Sequence, residues 1–123
     1  MTVLLVLAGG ALGAPVRYLT DLFVQGRHDS VLPWGTLTVN AAGSLVLGAL
    51  AASVTSAGAP AWVLTLGGTG FCGALTTFST FGFETVRLLE DGSWPDALAN
   101  IVSSLAVGLV AVAAGWWLGA TLW

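Results

Sequence analysis

The longest uncharged stretch constrains this chain most, because residues 30–83 contain no Asp, Glu, Lys or Arg. As one helix, at about 1.5 Å per residue, this stretch would be about 80 Å long, whereas the hydrocarbon core of a bilayer is about 30 Å thick. The stretch must therefore turn back once. The segment 56–60 (Ser-Ala-Gly-Ala-Pro) contains the two residue types that most strongly end helices. We expect a membrane-spanning helix on each side of this turn.

The composition extends this expectation to the whole chain. Of 123 residues, 56% are hydrophobic and only 7% are charged, whereas an average soluble domain is about 25% charged. So few charges could not cover a surface that faces water. Apolar stretches of about 20 residues predict four spans, at approximately 3–24, 34–55, 61–88 and 97–122. We therefore predict one all-α membrane domain over residues 1–123.

The positions of the tryptophans agree with these boundaries. Three of the six begin a predicted span and three end the last one: Trp34, Trp62 and Trp94, then Trp116, Trp117 and Trp123. Tryptophan is enriched at membrane–water interfaces, where its ring lies at the level of the headgroups. The alternative, core tryptophans of a soluble helical bundle, fits poorly with six rings near predicted helix ends.

The charges bear on partners and on orientation. The net charge is −3 and there is no lysine, so the chain has no basic stripe for nucleic acid. All three arginines, Arg17, Arg27 and Arg87, fall on one side of the predicted bundle. The termini and the second loop carry no Lys or Arg. The positive-inside rule then places both termini outside the cytoplasm.

Four short helices cannot enclose a pore alone, so we expect an oligomer. Gly9 with Gly13, and Gly115 with Gly119, form small-xxx-small patterns, which allow helix backbones to approach closely in lipid. These stripes are equally compatible with a dimer contact and with packing inside one chain.

The third span is unusual because residues 67–73 include four glycines and are followed by Thr76 and Thr77. Such a run weakens a helix, and a broken backbone is tolerated at membrane depth only when it is buried in protein or lines a wet cavity. Its freed carbonyls would suit a hard cation such as Na⁺. On composition alone, an intact glycine-rich helix remains an equal alternative.

Polar side chains inside the spans are uncharged and occur in pairs at helical spacing. The pairs are Thr36 with Asn40, Asn100 with Ser104, Thr77 with Thr80, and the aromatic pair Phe78 with Phe81. Hydroxyl and amide groups donate hydrogen bonds, and phenylalanine ring edges carry partial positive charge. As a set, these groups suit a small anion that must enter and leave easily. Each group by itself is more simply explained as a polar contact between helices.

Three segments carry a resemblance to a known family: residues 9–18 (GGALGAPVRY), 35–44 (GTLTVNAAGS) and 70–81 (GFCGALTTFSTF). Over essentially its whole length the chain resembles the CrcB/Fluc family of fluoride-specific ion channels, and the third segment is the most specific. The resemblance implies an antiparallel, dual-topology dimer whose third helix is broken mid-membrane. It also implies passive export of fluoride from the cytoplasm, with no enzymatic activity.

The resemblance further assigns roles to individual residues. A structural Na⁺ on the two-fold axis would be held by the main-chain carbonyls of Gly73 and Thr76. Arg17 and Glu84 resemble charged residues of the family, with Glu84 near the pore end and close to Thr36. The alternatives are a snorkelling interfacial arginine and a solvated carboxylate at a helix end. The implied fluoride pathway comprises Thr36, Asn40, Phe78, Ser79, Thr80, Phe81, Asn100 and Ser104.

The sequence is compatible with two other functions. A small proton-coupled multidrug exporter of similar size needs a titratable carboxylate at membrane depth, but the first span offers only Asp21, near its end. The second is a structural or accessory subunit with no conduction of its own, as one member of a fixed-orientation heterodimer, because all three arginines lie on one side. The partner is then either a second copy of this chain or an oppositely oriented paralogue, in the plasma membrane of a prokaryote.

Overall fold

The computed structural model describes residues 1–27 and 31–122, all of whose regular elements are helical. His28, Asp29 and Ser30 of the predicted first loop, and the predicted interfacial Trp123, lie outside the described residues. The elements are α1 (Thr2–Gln25), α2 (Trp34–Ser56), α3 (Ala61–Val63), a π-helical segment (Leu64–Cys72), α4 (Gly73–Leu75), α5 (Ser79–Glu90) and α6 (Trp94–Leu122).

Four stretches of the described residues are long and apolar enough to cross a membrane: Thr2–Gln25, Trp34–Ser56, Ala61–Glu90 and Trp94–Leu122. The expectation of an all-helical chain with four long apolar helices is therefore confirmed. The last helix begins at Trp94, three residues before the predicted start at 97, because Pro95 is tolerated in a first helical turn.

The outer surface of the bundle is too apolar for a surface that faces water. Leu4, Leu12, Leu109 and Val110 are each more than 60% exposed, and contiguous apolar patches of this kind mark contact with a membrane or a partner. Trp62, Trp94 and Trp117 are more than half exposed as well. The alternative of tryptophans in the core of a soluble bundle is therefore wrong for these rings.

Small residues bring the helices together. A Cβ on Gly115 would collide with the carbonyl of Leu45, and a Cβ on Gly48 would collide with the carbonyl of Val112. These contacts join α2 to α6, the most extensive helix pair in the fold. The small-residue stripes therefore serve packing inside one chain, one of the two alternatives that the sequence leaves open.

The third span is neither straight nor uniformly α-helical. The nine residues Leu64–Cys72 are wound as a π-helix, a form that is usually limited to one turn and often found at functional sites. Gly9 and Gly13 of α1 lie directly against its backbone. After α4 the helix stops, and Thr76 is extended with φ −80° and ψ 158°. The helix resumes at Ser79, so residues 76–78 break the span near its middle.

The close contact between α1 and the π-helical segment yields a test on two neighbouring glycines. A Cβ on Gly9 would collide with the carbonyl of Leu66, whereas a Cβ on Gly10 would make an ordinary 3.9 Å contact with Ala74. Gly9→Ala should therefore lower the free energy of unfolding by about 1–3 kcal/mol through overpacking. Gly10→Ala should be neutral or raise it by up to about 1 kcal/mol through helix propensity.

Thermal unfolding of the purified protein in detergent measures both variants. Equal effects of Gly9→Ala and Gly10→Ala would contradict the close approach described here.

Candidate functional site

The break in the third span is held by the side chain of Asn40 on α2. The Thr77 N–H donates to Asn40 Oδ1 over 2.7 Å, and Asn40 Nδ2 donates to the Thr77 carbonyl over 3.0 Å. The amide of one side chain thus satisfies both main-chain polar groups of Thr77. Because unpaired backbone groups are costly at membrane depth, this pairing makes the break tolerable. One Asn40 N–H is left over, since an amide nitrogen carries two hydrogens.

Threonine side chains end one helix and begin the next. The N–H and hydroxyl of Thr76 both donate to the Cys72 carbonyl, over 2.9 and 2.8 Å. The Thr77 hydroxyl accepts from the Thr80 N–H over 3.2 Å and donates to the Thr80 hydroxyl over 3.0 Å. It therefore satisfies one of the amide groups left unpaired at the start of α5. Ser79 Oγ lies 3.5 Å from Thr77 Oγ1.

Phe78, the last residue of the break, and Phe81, in the first turn of α5, lie side by side. Their ring centroids are 5.9 Å apart and their planes are inclined at 47°, a tilted arrangement of the kind that aromatic pairs favour. The Phe78 side chain is 84% exposed. Both rings border a groove of about 360 Å³ whose polar lining comprises Asn40, Ser44, Thr76, Thr77 and Ser104. No charged side chain of the described residues lines it, and we call it the uncharged groove.

A second, smaller cavity lies on another side of Thr77. It measures about 150 Å³ and is lined by Arg17, Tyr18, Asp21, Thr36, Val39, Thr77 and Thr80. We call it the threonine cavity. Thr77 lines both this cavity and the uncharged groove, so the two spaces share a lining residue at the break.

The third cavity lies where α1 and α5 end and α2 begins. It measures about 400 Å³, and its charged lining consists of Asp21, Glu84, Arg87 and Asp91. We call it the mouth cavity. Asp21 lines both the mouth cavity and the threonine cavity. The three spaces therefore follow one another from the end of the bundle to the break, with Asp21 lining the first two and Thr77 the last two.

Glu84 and Thr36 form a direct contact between the mouth cavity and the threonine cavity. The Thr36 hydroxyl donates to Glu84 Oε1 over 3.0 Å. Thr36 is only 4% exposed, and Glu84 Oε2 is enclosed without a hydrogen-bond partner among the described residues. This environment differs from that of a solvated carboxylate at a helix end.

Helical spacing places Asn100 and Ser104 on one face of α6, but the two side chains have different surroundings. Ser104 lines the uncharged groove. Asn100 is 3% exposed, and its Nδ2 donates to the Thr85 hydroxyl over 2.8 Å. That hydroxyl in turn donates to the Phe81 carbonyl, also over 2.8 Å. In the described chain Asn100 therefore joins α6 to α5 beneath Phe81 and does not border the groove.

The main-chain oxygens of Gly73 and Thr76 satisfy a basic requirement for binding a cation. In a continuous helix, the Gly73 carbonyl would accept from Thr77 N–H and the Thr76 carbonyl from Thr80 N–H. Here Thr77 N–H donates to Asn40, and Thr80 N–H donates to Thr77 Oγ1. Both carbonyls have lost their helical donors, and carbonyl oxygen suits a hard cation. Within the described part of the chain, no cluster of His, Cys, Asp or Glu side chains is placed to hold a metal.

The sequence pattern alone assigns no role to two residues of the site. Thr77 appears there only as one member of a helical pair, although its position between Asn40 and α5 makes it central to the break. Asp21 appears only as a carboxylate near a span end, whereas it lines two cavities. Its spacing of four residues from Arg17 is the one sequence signal that places both on the same face of α1.

A four-span membrane protein with a braced helix break and an uncharged polar groove beside it belongs to the class that handles small ions within the bilayer. Comparison with known proteins identifies the family. Residues 4–116 match the family described as CrcB-like protein, Camphor Resistance (CrcB). The chain belongs to this family, as its resemblance predicts.

The relatives cover nearly the whole chain. The chain is 59% identical over 112 residues to "Fluoride-specific ion channel FluC 1" of Nocardia farcinica, covering 91% of this chain and 76% of the relative. It is 51% identical over 123 residues to the protein of the same name in Streptomyces avermitilis, covering 100% and 99%. "Fluoride-specific ion channel FluC 2" of Mycobacterium bovis is 46% identical over 109 residues, covering 89% and 83%.

The pairing of Asn40 with Thr77 yields a stability test. Asn40→Ala removes both hydrogen bonds at the break and should lower the free energy of unfolding by about 1–3 kcal/mol for each main-chain group left unpaired. Ser44→Ala is the matched control, because Ser44 lies one turn further along α2 and lines the same groove. Thermal unfolding in detergent measures both variants, and an Asn40→Ala protein as stable as Ser44→Ala would exclude the bracing role.

Proposed function

We propose that this protein is a fluoride-specific ion channel that lets fluoride leave the cytoplasm passively across the plasma membrane of a bacterium. The observation that carries the proposal is the uncharged groove, in which Asn40, Thr77 and Ser104 lie beside the rings of Phe78 and Phe81. Membership of the CrcB-like family and the names of the bacterial relatives support the choice of fluoride.

The chemistry of the groove suits a small, strongly hydrated anion. Amide and hydroxyl hydrogens and the positive edges of phenylalanine rings replace part of the hydration shell of the ion. The described lining contains no Lys or Arg, so an anion is not held as tightly as it would be by a full positive charge. Conduction requires binding that is favourable enough for entry and weak enough for release.

Within this proposal the predicted pathway residues have different tasks. Phe78, Phe81 and Ser104 line the groove. Asn40 has two roles: it braces the break, and its second N–H can donate to an anion in the groove. Thr36 and Thr80 line the threonine cavity, with Ser79 beside Thr77. Asn100 positions α5, and with it Phe81, through Thr85. Arg17 is one of the charged residues of the threonine cavity, and Glu84 is one of those of the mouth cavity.

A passive pathway is sufficient for fluoride export. Fluoride enters cells as neutral HF when the outside is acidic and dissociates in the cytoplasm. A membrane potential of 100 mV, negative inside, is worth about 2.3 kcal/mol for each monovalent anion. That corresponds to an outward accumulation of about 50-fold. No coupling to protons or nucleotide is needed.

The working unit in this proposal is an antiparallel, dual-topology dimer. The groove is open in a single chain, with Phe78 at its edge 84% exposed. Open to lipid, its polar groups would lie in hydrocarbon, which is costly. A second copy in the opposite orientation would cover the groove and supply the facing wall. Since Arg17, Arg27 and Arg87 favour one orientation, an oppositely oriented paralogue is the alternative partner.

A structural Na⁺ belongs to the same proposal. The carbonyls of Gly73 and Thr76 from each subunit would hold it at the dimer axis, where it would tie the two breaks together. The positive ion would compensate the partial negative charge of main-chain oxygens that have lost their helical donors.

The role of the ring edges is tested by aliphatic substitution. Phe78→Ile and Phe81→Ile keep an apolar side chain but remove the ring edge, so fluoride efflux from proteoliposomes containing only this chain should fall at least about tenfold. Phe83→Ile is the matched control, because Phe83 lies on α5, as Phe81 does, but outside the groove. A fluoride-selective electrode measures the efflux.

Size-exclusion chromatography with light scattering shows whether each variant still assembles. Wild-type efflux in both assembled variants would exclude the ring-edge role. Absence of efflux from the unaltered chain alone, together with efflux after co-reconstitution with a paralogue, would favour the heterodimer.

The proposed Na⁺ is tested by stability rather than by flux. Purified protein should unfold at a higher temperature in NaCl than in N-methyl-D-glucamine chloride of equal concentration, because Na⁺ binds only the folded carbonyl cage. The shift should grow with Na⁺ concentration and be smaller for K⁺. Equal unfolding temperatures in the three salts would argue against a bound Na⁺.

A further inference from the structure

Asp21 occupies a junction in the series of cavities. Among the described residues, it is the only side chain that lines both the mouth cavity and the threonine cavity. The mouth cavity carries three carboxylates, Asp21, Glu84 and Asp91, against one guanidinium, Arg87. The threonine cavity carries Arg17 together with Asp21. The lining of the mouth cavity therefore has an excess of negative charge, whereas the lining of the threonine cavity has one positive and one negative charge. Asp21 lies where the two linings meet.

The position of the Asp21 carboxylate is restricted by the start of α2. A Cβ on Gly35 would collide with Asp21 Oδ1, so the carboxylate lies directly against the backbone at this point. The Gly35 N–H donates to Gln25 Oε1 over 3.4 Å, one turn along α1 from Asp21. Thr36, the next residue, is bonded to Glu84. One carboxylate, Asp21, thus lies against Gly35, and another, Glu84, accepts from the adjacent Thr36.

We propose that Asp21 sets the rate at which anions pass between the mouth cavity and the threonine cavity, by electrostatic repulsion at their junction. The inference rests on the proposed function, because it assumes that fluoride takes this route. An anion leaving the mouth cavity for the groove meets Asp21 before it reaches Arg17. Asp21 therefore keeps fluoride occupancy at the junction low, and Arg17, one turn away on the same face of α1, offsets this within the threonine cavity.

The proposal is tested by neutralising the charge with little change of shape. In Asp21→Asn, fluoride efflux from proteoliposomes at an ionic strength of about 0.1 M should rise roughly three- to tenfold, as expected for removing a unit charge near a water-filled path. At about 1 M the gain should shrink below roughly twofold, because the Debye length falls from about 10 Å to about 3 Å.

The matched control is Asp96→Asn, which makes the same change in net charge. Asp96 lies in the first turn of α6 and lines neither cavity. Its efflux should match that of the unaltered protein at both ionic strengths. A gain equal to that of Asp21→Asn would assign the effect to overall charge and overturn the proposal.

Other outcomes are equally decisive. Efflux of Asp21→Asn that is unchanged, or slowed at both ionic strengths, would assign Asp21 a structural role at the start of α2 and overturn the proposal. If Asp21→Asn does not assemble, Arg87→Gln gives the opposite test in the same cavity. Its efflux should fall at 0.1 M and recover at 1 M, and salt-independent efflux would overturn the proposal. Absence of fluoride efflux from the unaltered protein, both alone and after co-reconstitution with a paralogue, would instead refute the proposed function, which separates the two failures.

Discussion

The pairing between Asn40 and the main chain of Thr77 is the interaction on which the rest of the site depends. Without water in the bilayer core, a helix can stop only where other groups replace its lost hydrogen bonds. Asn40 supplies both replacements from α2. This frees the Gly73 carbonyl from its helical role, turns Phe78 outward beside Phe81, and allows Thr77 to cap α5. One uncharged side chain therefore positions the rings, the carbonyls and the start of the following helix.

The scaffold around the break is built from close backbone contacts rather than from a large apolar core. Fully buried large side chains are confined, in the described chain, to Val39 and Cys72. Gly9 and Gly13 lie against the π-helical segment, and Gly48 and Gly115 join α2 to α6. In lipid, where hydrophobicity does not drive helices together, such contacts fix helix positions through packing. Asn40 is thereby held beside Thr77.

The sequence predicts the parts of this protein that depend on local composition. Long uncharged stretches predict four apolar helices, and glycine density locates the weak point of the third span. Composition leaves the break undecided, because the deciding group, Asn40, lies 37 residues from Thr77. Helical spacing likewise places Asn100 beside Ser104 but does not reveal its bond to Thr85. Asp21 resembles an ordinary carboxylate at a helix end until the cavities on both sides of it are seen.

The break also has a consequence for biogenesis. The helix after it, Ser79–Glu90, has 12 residues, a length of about 18 Å that is too short to cross the bilayer core by itself. It also contains polar and charged side chains, among them Glu84 and Arg87. It must therefore leave the translocon together with the glycine-rich half that precedes it, as one hydrophobic unit. Because α2 is synthesised first, Asn40 is already in the membrane when Thr77 arrives, and the hairpin can close on insertion.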